Sequence, residues 1–293
     1  MKLLTIDSRE VTGRPGVLLS SGEILDLTAS PSTLSESQWI PYSIVSILAA
    51  GRGGLEHVSR LVRAAEDAVG PQREKLNSSG VLLPFSGTEL MAPIRRPGLV
   101  LVVDRESNGY IKSPNTVVGN GASVNVPWAG GAGVMGSGML AVVIGGSIFQ
   151  SSPNVAEQAI AGYTLMLDLS IKHPGNAATL SAWRQYIDSK QFPGSGPIGP
   201  VIITKDEIPD PVTLSAAALI NGVEVAAGRL YAEGLNIPSL LADLSQRYAF
   251  RPGDLIAIEP SNRQGPGCPR ALKSGDKFGL RLADLTELEV GIA

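Results

Sequence analysis

One stretch constrains this chain more than any other. Residues 139–172 read MLAVVIGGSIFQSSPNVAEQAIAGYTLMLDLSIK. Residues 139–144 form a continuous apolar run rich in β-branched side chains, the composition of a strand buried on both faces. Gly145-Gly146 punctuate it, and Ser151-Ser152-Pro153-Asn154 offer caps and a proline to open a short helix over 155–161. A second apolar strand follows over 163–169, with Asp168 between Leu167 and Leu169. A carboxylate in a buried strand is costly unless it is paired, bound to metal or set at a cleft. Asp168 is therefore the first place to look for chemistry.

The rest of the composition sets outer bounds. With 293 residues, 43% of them hydrophobic, the chain can bury the core of one large domain or two unequal ones. Its 34 glycines and 21 prolines against 5% aromatics predict many turns and a β-rich body. A net charge of −3 with no basic run argues against nucleic acid bound through its phosphates. The single cysteine, Cys268, excludes an intrachain disulfide and suits a reducing compartment, so a cytoplasmic location is expected. The opening MKLLTIDSRE has no long apolar core, so no signal peptide is expected. No apolar run approaches the roughly 20 residues that a membrane helix needs.

Along the chain, residues 1–26 predict short strands, 41–50 a short apolar helix ending at Gly51, and 54–68 a helix whose Leu55, Val58, Leu61, Val62 and Ala65 share one face. His57, beside Glu56 on that helix, is expected to be exposed. Residues 69–80 predict a solvated connection, which divides a small N-terminal domain, 1–80, from a larger one, 81–293. A buried strand is expected over 99–103, a polar turn over 104–109, and a flexible glycine-rich loop over 119–138. That loop lacks the G-K-[ST] and the strand–glycine–helix setting of a nucleotide cradle. A short helix over 178–190, a rigid loop over 194–200 into a strand over 201–204, and an Asn221-Gly222 hairpin follow. A helix over 238–248 and strands over 255–258 and 277–282 complete the pattern.

These pieces, in their order, resemble the fumarylacetoacetate hydrolase family. The likeness is carried by SILAAGRGGLEHVSRLVRAA, LMAPIRRPGLVLVV, YIKSPNTVVGNG, MLAVVIGG, NVAEQAIAGYTLMLDLSIKH and SKQFPGSGPIGPVIIT, and then by LINGVEV, RPGDLIA and LKSGDKFGL. The resemblance implies an α+β, β-rich fold, with a mixed β-roll as the larger domain and a small α/β domain before it. It also implies a homodimer acting on small 2-oxo acids or 1,3-dicarbonyl acids. In such proteins a Mg²⁺ or Ca²⁺ ion, held by a Glu-x-Glu pair and the Asp of an Asn-Asp motif, stabilises the enolate or oxyanion.

Carried over residue by residue, that pattern is broken. Asp168 keeps the motif aspartate and Lys190 the family's lysine. The Glu-x-Glu pair falls on Ser137 and Met139, and methionine is a poor ligand for a hard cation. An Arg-Asp pair of the family falls on Lys172 and His173. DRESNG stands where relatives carry a His–Glu base. A metal-free site is therefore expected, with Lys190, Lys172 and Arg184 holding a substrate anion and Asp168 as their partner. His173 is a candidate acid–base or a solvated turn residue. Glu259 is a candidate base or a strand-end charge. Tyr110 and Lys112 precede Ser113-Pro114 where relatives line the cleft, and are weaker candidates. Asp168 reads equally as a structural ion-pair partner, and Lys190 as a surface lysine.

The function expected is proton transfer on a small enolisable oxo-acid or 1,3-dicarbonyl compound: isomerisation, tautomerisation or cyclisation, without cofactor. The alternatives are a Mg²⁺-dependent C–C hydrolase and an inactive binding or partner subunit of the same fold. No nucleic-acid or membrane partner is expected.

Overall fold

Short apolar segments bounded by glycine, proline and asparagine become strands along the chain. The computed structural model describes residues 1–8, 13–34, 41–127, 133–171, 189–260 and 265–293. Its N-terminal strands are β1 (Lys2–Ile6), β2 (Arg14–Leu18), β3 (Glu23–Asp26), β4 (Leu82–Pro84) and β5 (Leu90–Met91). Then come β6 (Val100–Val103), β7 (Gly109–Lys112), β8 (Val117–Val118), β9 (Ser123–Val124), β10 (Val134–Ile144), β11 (Ile160–Ile171) and β12 (Gly196–Thr204). The last are β13 (Ser215–Ile220), β14 (Val223–Arg229), β15 (Leu255–Ile258), β16 (Lys277–Leu282) and β17 (Thr286–Ile292). The helices are α1 (Ser30–Thr33), α2 (Ile44–Ala49), α3 (Gly51–Glu66), α4 (Pro71–Ser78), α5 (Pro153–Gln158) and α6 (Ile237–Ser245).

A 12-stranded mixed sheet runs in the order β4-β3-β2-β1-β12-β11-β10-β15-β6-β7, with β5 added on β1 and β8 on β12. A second sheet runs β14-β13-β16-β17-β9. Alternation along β10 and β11 sends Leu140, Val142, Leu165, Leu167 and Leu169 into one core with Phe278, Leu280 and Val290 of the second sheet. Met139, Ala141, Val143 and Met166 face the other way, into a core that includes Ile47, Val58 and Leu61 of α2 and α3. Asp168 lies two residues from Met166 and so belongs to this second face.

The large sheet is rolled. β7 is four strand steps from β11, roughly 19 Å in a flat sheet, yet Lys112 of β7 touches Asp168 of β11 at 2.8 Å. The curl is completed just after β7, where β8 pairs parallel with β12 at Val117–Gly196 and Val118–Pro197. The β-rich mixed roll expected from the resemblance is thus the architecture observed.

Several local expectations are corrected. Residues 71–78 form α4, opened by Pro71, rather than a bare connection. Residues 153–158 form α5, and β11 already begins at Ile160. The glycine-rich stretch is not all loop: β9 lies within it, and 134–138 are strand. Gly136 and Gly138 are there for close packing, since a Cβ would lie 2.4 Å from Phe278 Cε1 and 2.5 Å from Leu280 Cδ1 respectively. β12 likewise takes in residues 196–200. His57 is buried, not exposed: it shares the Leu61 and Ala65 face of α3, and its Nδ1 lies 2.9 Å from Arg60 Nη2. No helix among the described residues is long and apolar enough to cross a membrane.

Candidate active site

Pleat alternation in β7 brings two polar side chains inward. Tyr110 and Lys112 are buried, while Gly109 and Ile111 between and before them are exposed. In the ladder, Tyr110 pairs with Val102 and Lys112 with Val100, both of the core face that carries Met166. Asp168 comes to that face from β11, directly across from Ser137 of β10. Lys190 arrives from the turn that precedes β12.

Three donors meet on the one carboxylate. Lys112 Nζ donates to Asp168 Oδ1 at 2.8 Å. Tyr110 Oη donates to Oδ2 at 2.9 Å, and Lys190 Nζ donates to the same oxygen. Lys190 Nζ also sits 5.4 Å from the centre of the Tyr110 ring, within the range of a cation–π contact. Lys112 is 0% exposed, Asp168 2%, Tyr110 6% and Lys190 8%. Burial alone would push the Asp168 carboxyl up. The charges of Lys112 and Lys190 and their hydrogen bonds outweigh it and hold the group below the usual carboxylate range. Burial pushes the Lys112 ammonium below its ordinary value, against the opposing pull of Asp168.

Four of the residues singled out in the sequence therefore come together: Asp168, Lys190, Tyr110 and Lys112. The surface-lysine reading of Lys190 is corrected, because the turn folds it under the rolled sheet. Tyr110 and Lys112, the weaker candidates, stand at the centre. Glu259 follows β15, its amide donating to the Val103 carbonyl at 2.7 Å. It is half-buried just past the end of the strand. Lys172, His173 and Arg184 lie outside the described residues, as do 178–188 of the expected helix. Gln191, Ser195 and Gly196 escaped notice in the sequence, although a glycine inside a strand is itself a signal of close approach. Cys268 is no nucleophile at neutral pH, since burial pushes its thiol up to about 11.

A divalent cation of the kind implied by the resemblance needs several oxygen ligands. Among the described residues no group of three or more His, Cys, Asp or Glu side chains is placed to hold one. Both Asp168 oxygens already accept from an ammonium, Ser137 stands directly across from Asp168 on β10, and Met139 pairs with Met166. The described residues do not fit the ion.

A rolled sheet with a buried carboxylate on its inner face defines the class. Residues 99–293 match the family described as fumarylacetoacetate (FAA) hydrolase C-terminal, and the chain belongs to that family. A curated relative, the oxaloacetate tautomerase YisK of Bacillus subtilis, is 26% identical over 287 residues, covering 91% of this chain and 92% of its own. Among solved structures, the maleylpyruvate hydrolase of Sphingobium sp. SYK-6 is similar with a TM-score of 0.75 at 21% identity, covering 100% of this chain and 99% of its own. The same enzyme in complex with manganese (II) ion and pyruvate gives 0.74 at 21% identity, with coverage of 100% and 99%. A probable 2-hydroxyhepta-2,4-diene-1,7-dioate isomerase of Mycobacterium abscessus gives 0.72 at 22% identity, with coverage of 100% and 98%. These relatives are enzymes named for small oxo-acid chemistry.

Proposed function

We propose that this protein catalyses proton transfer on a small enolisable 2-oxo acid or 1,3-dicarbonyl compound, without a divalent metal. The observation that carries the reading is the convergence of Lys112, Lys190 and Tyr110 on the one buried carboxylate of Asp168. Cationic and neutral donors gathered at one buried point suit a substrate carboxylate or a developing enolate oxygen. Lys190, the most exposed member, is the group that meets it, and Tyr110 supplies a neutral donor beside it.

The chemistry needs little else. A base removes a proton from the carbon next to the carbonyl, the electron pair moves to the oxygen, and Lys190 holds the resulting enolate. Returning a proton to the same carbon gives the keto form, and to the oxygen gives the enol. Glu259 and His173 are the candidate bases, and Lys172 and Arg184 candidate anion holders. Oxaloacetate is the first substrate to try, because a relative is named as its tautomerase.

The second reading, a metal-dependent C–C hydrolase, is favoured by the neighbour bound to manganese and pyruvate. Proton NMR of oxaloacetate in D₂O separates the readings. Proton transfer is expected to speed loss of the C3 proton signal over a protein-free control, with the carbon skeleton intact. New cleavage products from acylpyruvates would favour the hydrolase. Neither change over a panel of such acids would mark a binding subunit and overturn the proposal.

A further inference from the structure

The proposed chemistry uses Lys190 but leaves Lys112 without a task, for its side chain has no exposure to solvent. Its ammonium donates to Asp168 Oδ1 at 2.8 Å and to the main-chain carbonyl of Lys190 at 2.7 Å. Ser195 Oγ donates to that same carbonyl at 2.7 Å. The lysine stem runs past Gly196, where a Cβ would lie 2.9 Å from both Lys112 Cε and Thr116 Oγ1. Gln191 reaches back the other way: its Oε1 accepts from the Ser113 amide at 2.8 Å and its Nε2 donates to the Ile111 carbonyl at 3.1 Å. The turn carrying Lys190 is thus tied to β7 from both sides.

We propose that Lys112 is a positioning residue: out of reach of substrate, it fixes the place of Lys190 and makes the Lys190 ammonium a stronger donor to the substrate oxygen. The inference deepens the reading of Lys190 as the group that meets the substrate. Lys112 takes Oδ1 of Asp168, which leaves Oδ2 for Lys190 and Tyr110. Two like charges on one carboxylate each disfavour the other's protonation. Lys190 is accordingly one of the influences, after burial, that hold the Lys112 ammonium below its ordinary value. Among the described residues Asp168, Lys112 and Tyr110 are titratable groups that bear on Lys190.

Competitive acetylation of the intact protein with acetic anhydride over a range of pH, read on the Lys190 peptide by mass spectrometry, tests this without any substrate. Lys112→Met is expected to raise the pH of half-labelling of Lys190 by about one unit, a roughly tenfold slower labelling below the midpoint. Ser195→Ala removes a hydrogen bond to the same carbonyl but no charge, and is expected to leave the midpoint in place. An unchanged or lowered midpoint in Lys112→Met, or an equal rise in Ser195→Ala, would overturn the proposal. If Lys112→Met does not fold, Lys112→Gln, which also removes the charge but keeps a hydrogen-bond donor, is read by the same criteria. Failure here removes the role of Lys112, whereas failure of proton exchange in the NMR experiment removes the functional reading itself.

Discussion

Replacing Asp168 by Asn would leave two ammonium groups facing each other in a buried site, one of them with no access to water. Removing one partner of a buried ion pair costs about 3–5 kcal/mol, and urea unfolding of Asp168→Asn at neutral pH is expected to show a loss of that order. The pH dependence has a definite sign. The folded carboxyl lies below its unfolded value, so its contribution is full above about pH 4 and is lost as pH falls through the folded value. The stability gap between wild type and Asp168→Asn is therefore expected to narrow below about pH 4; a gap that widens there would contradict the ion-pair assignment. Cys268→Ser is expected to leave turnover within about twofold, because a thiol held protonated is a poor nucleophile. At this scale Asp168 was legible, since a carboxylate between two leucines announces itself. The burial of Lys190 was not, because nothing local marks a lysine that the fold will cover.

β7 shows why pattern reading reached part of the site and stopped. Its four residues alternate exposed and buried, and the inward pair are the tyrosine and lysine that meet Asp168. Alternation alone gives the facing but not the partner, which lies 56 residues away for Lys112 and is reached only once the sheet has rolled. The glycines of β10 misled for a related reason: they read as loop, but make room for Phe278 and Leu280 of the other sheet. β7 is also an edge strand, held on its outer side by the Gln191 amide. Gln191→Ala is expected to cost about 1–2 kcal/mol, from two lost hydrogen bonds of modest net value, and to speed amide exchange in β7 selectively. Unaltered β7 exchange would mean that the clasp does not hold the strand.

Over the whole molecule, the division expected near residue 80 is crossed by hydrogen bonds. β1 pairs with β12, which joins the N-terminal strands to the roll in one sheet, and α2 and α3 share a core with the Asp168 face. Calorimetry is expected to give a single unfolding transition; two resolved transitions would mark two separate domains. The overall class was readable because many short motifs occur in order, each placed on a strand. The chemistry was less so, because it depends on groups from β7, β11 and the turn before β12 converging by closure of the roll. Lysines are proposed to hold the anion in this protein, whereas the Sphingobium neighbour is described in complex with manganese and pyruvate. The most direct test of that central claim is the decay of enol oxaloacetate absorbance with the purified protein in excess chelator, then with added Mg²⁺. Ketonisation is expected to be faster than the buffer rate, unchanged by chelator or Mg²⁺, and lost in Lys190→Met. Activity that vanishes in chelator and returns with Mg²⁺ would contradict it.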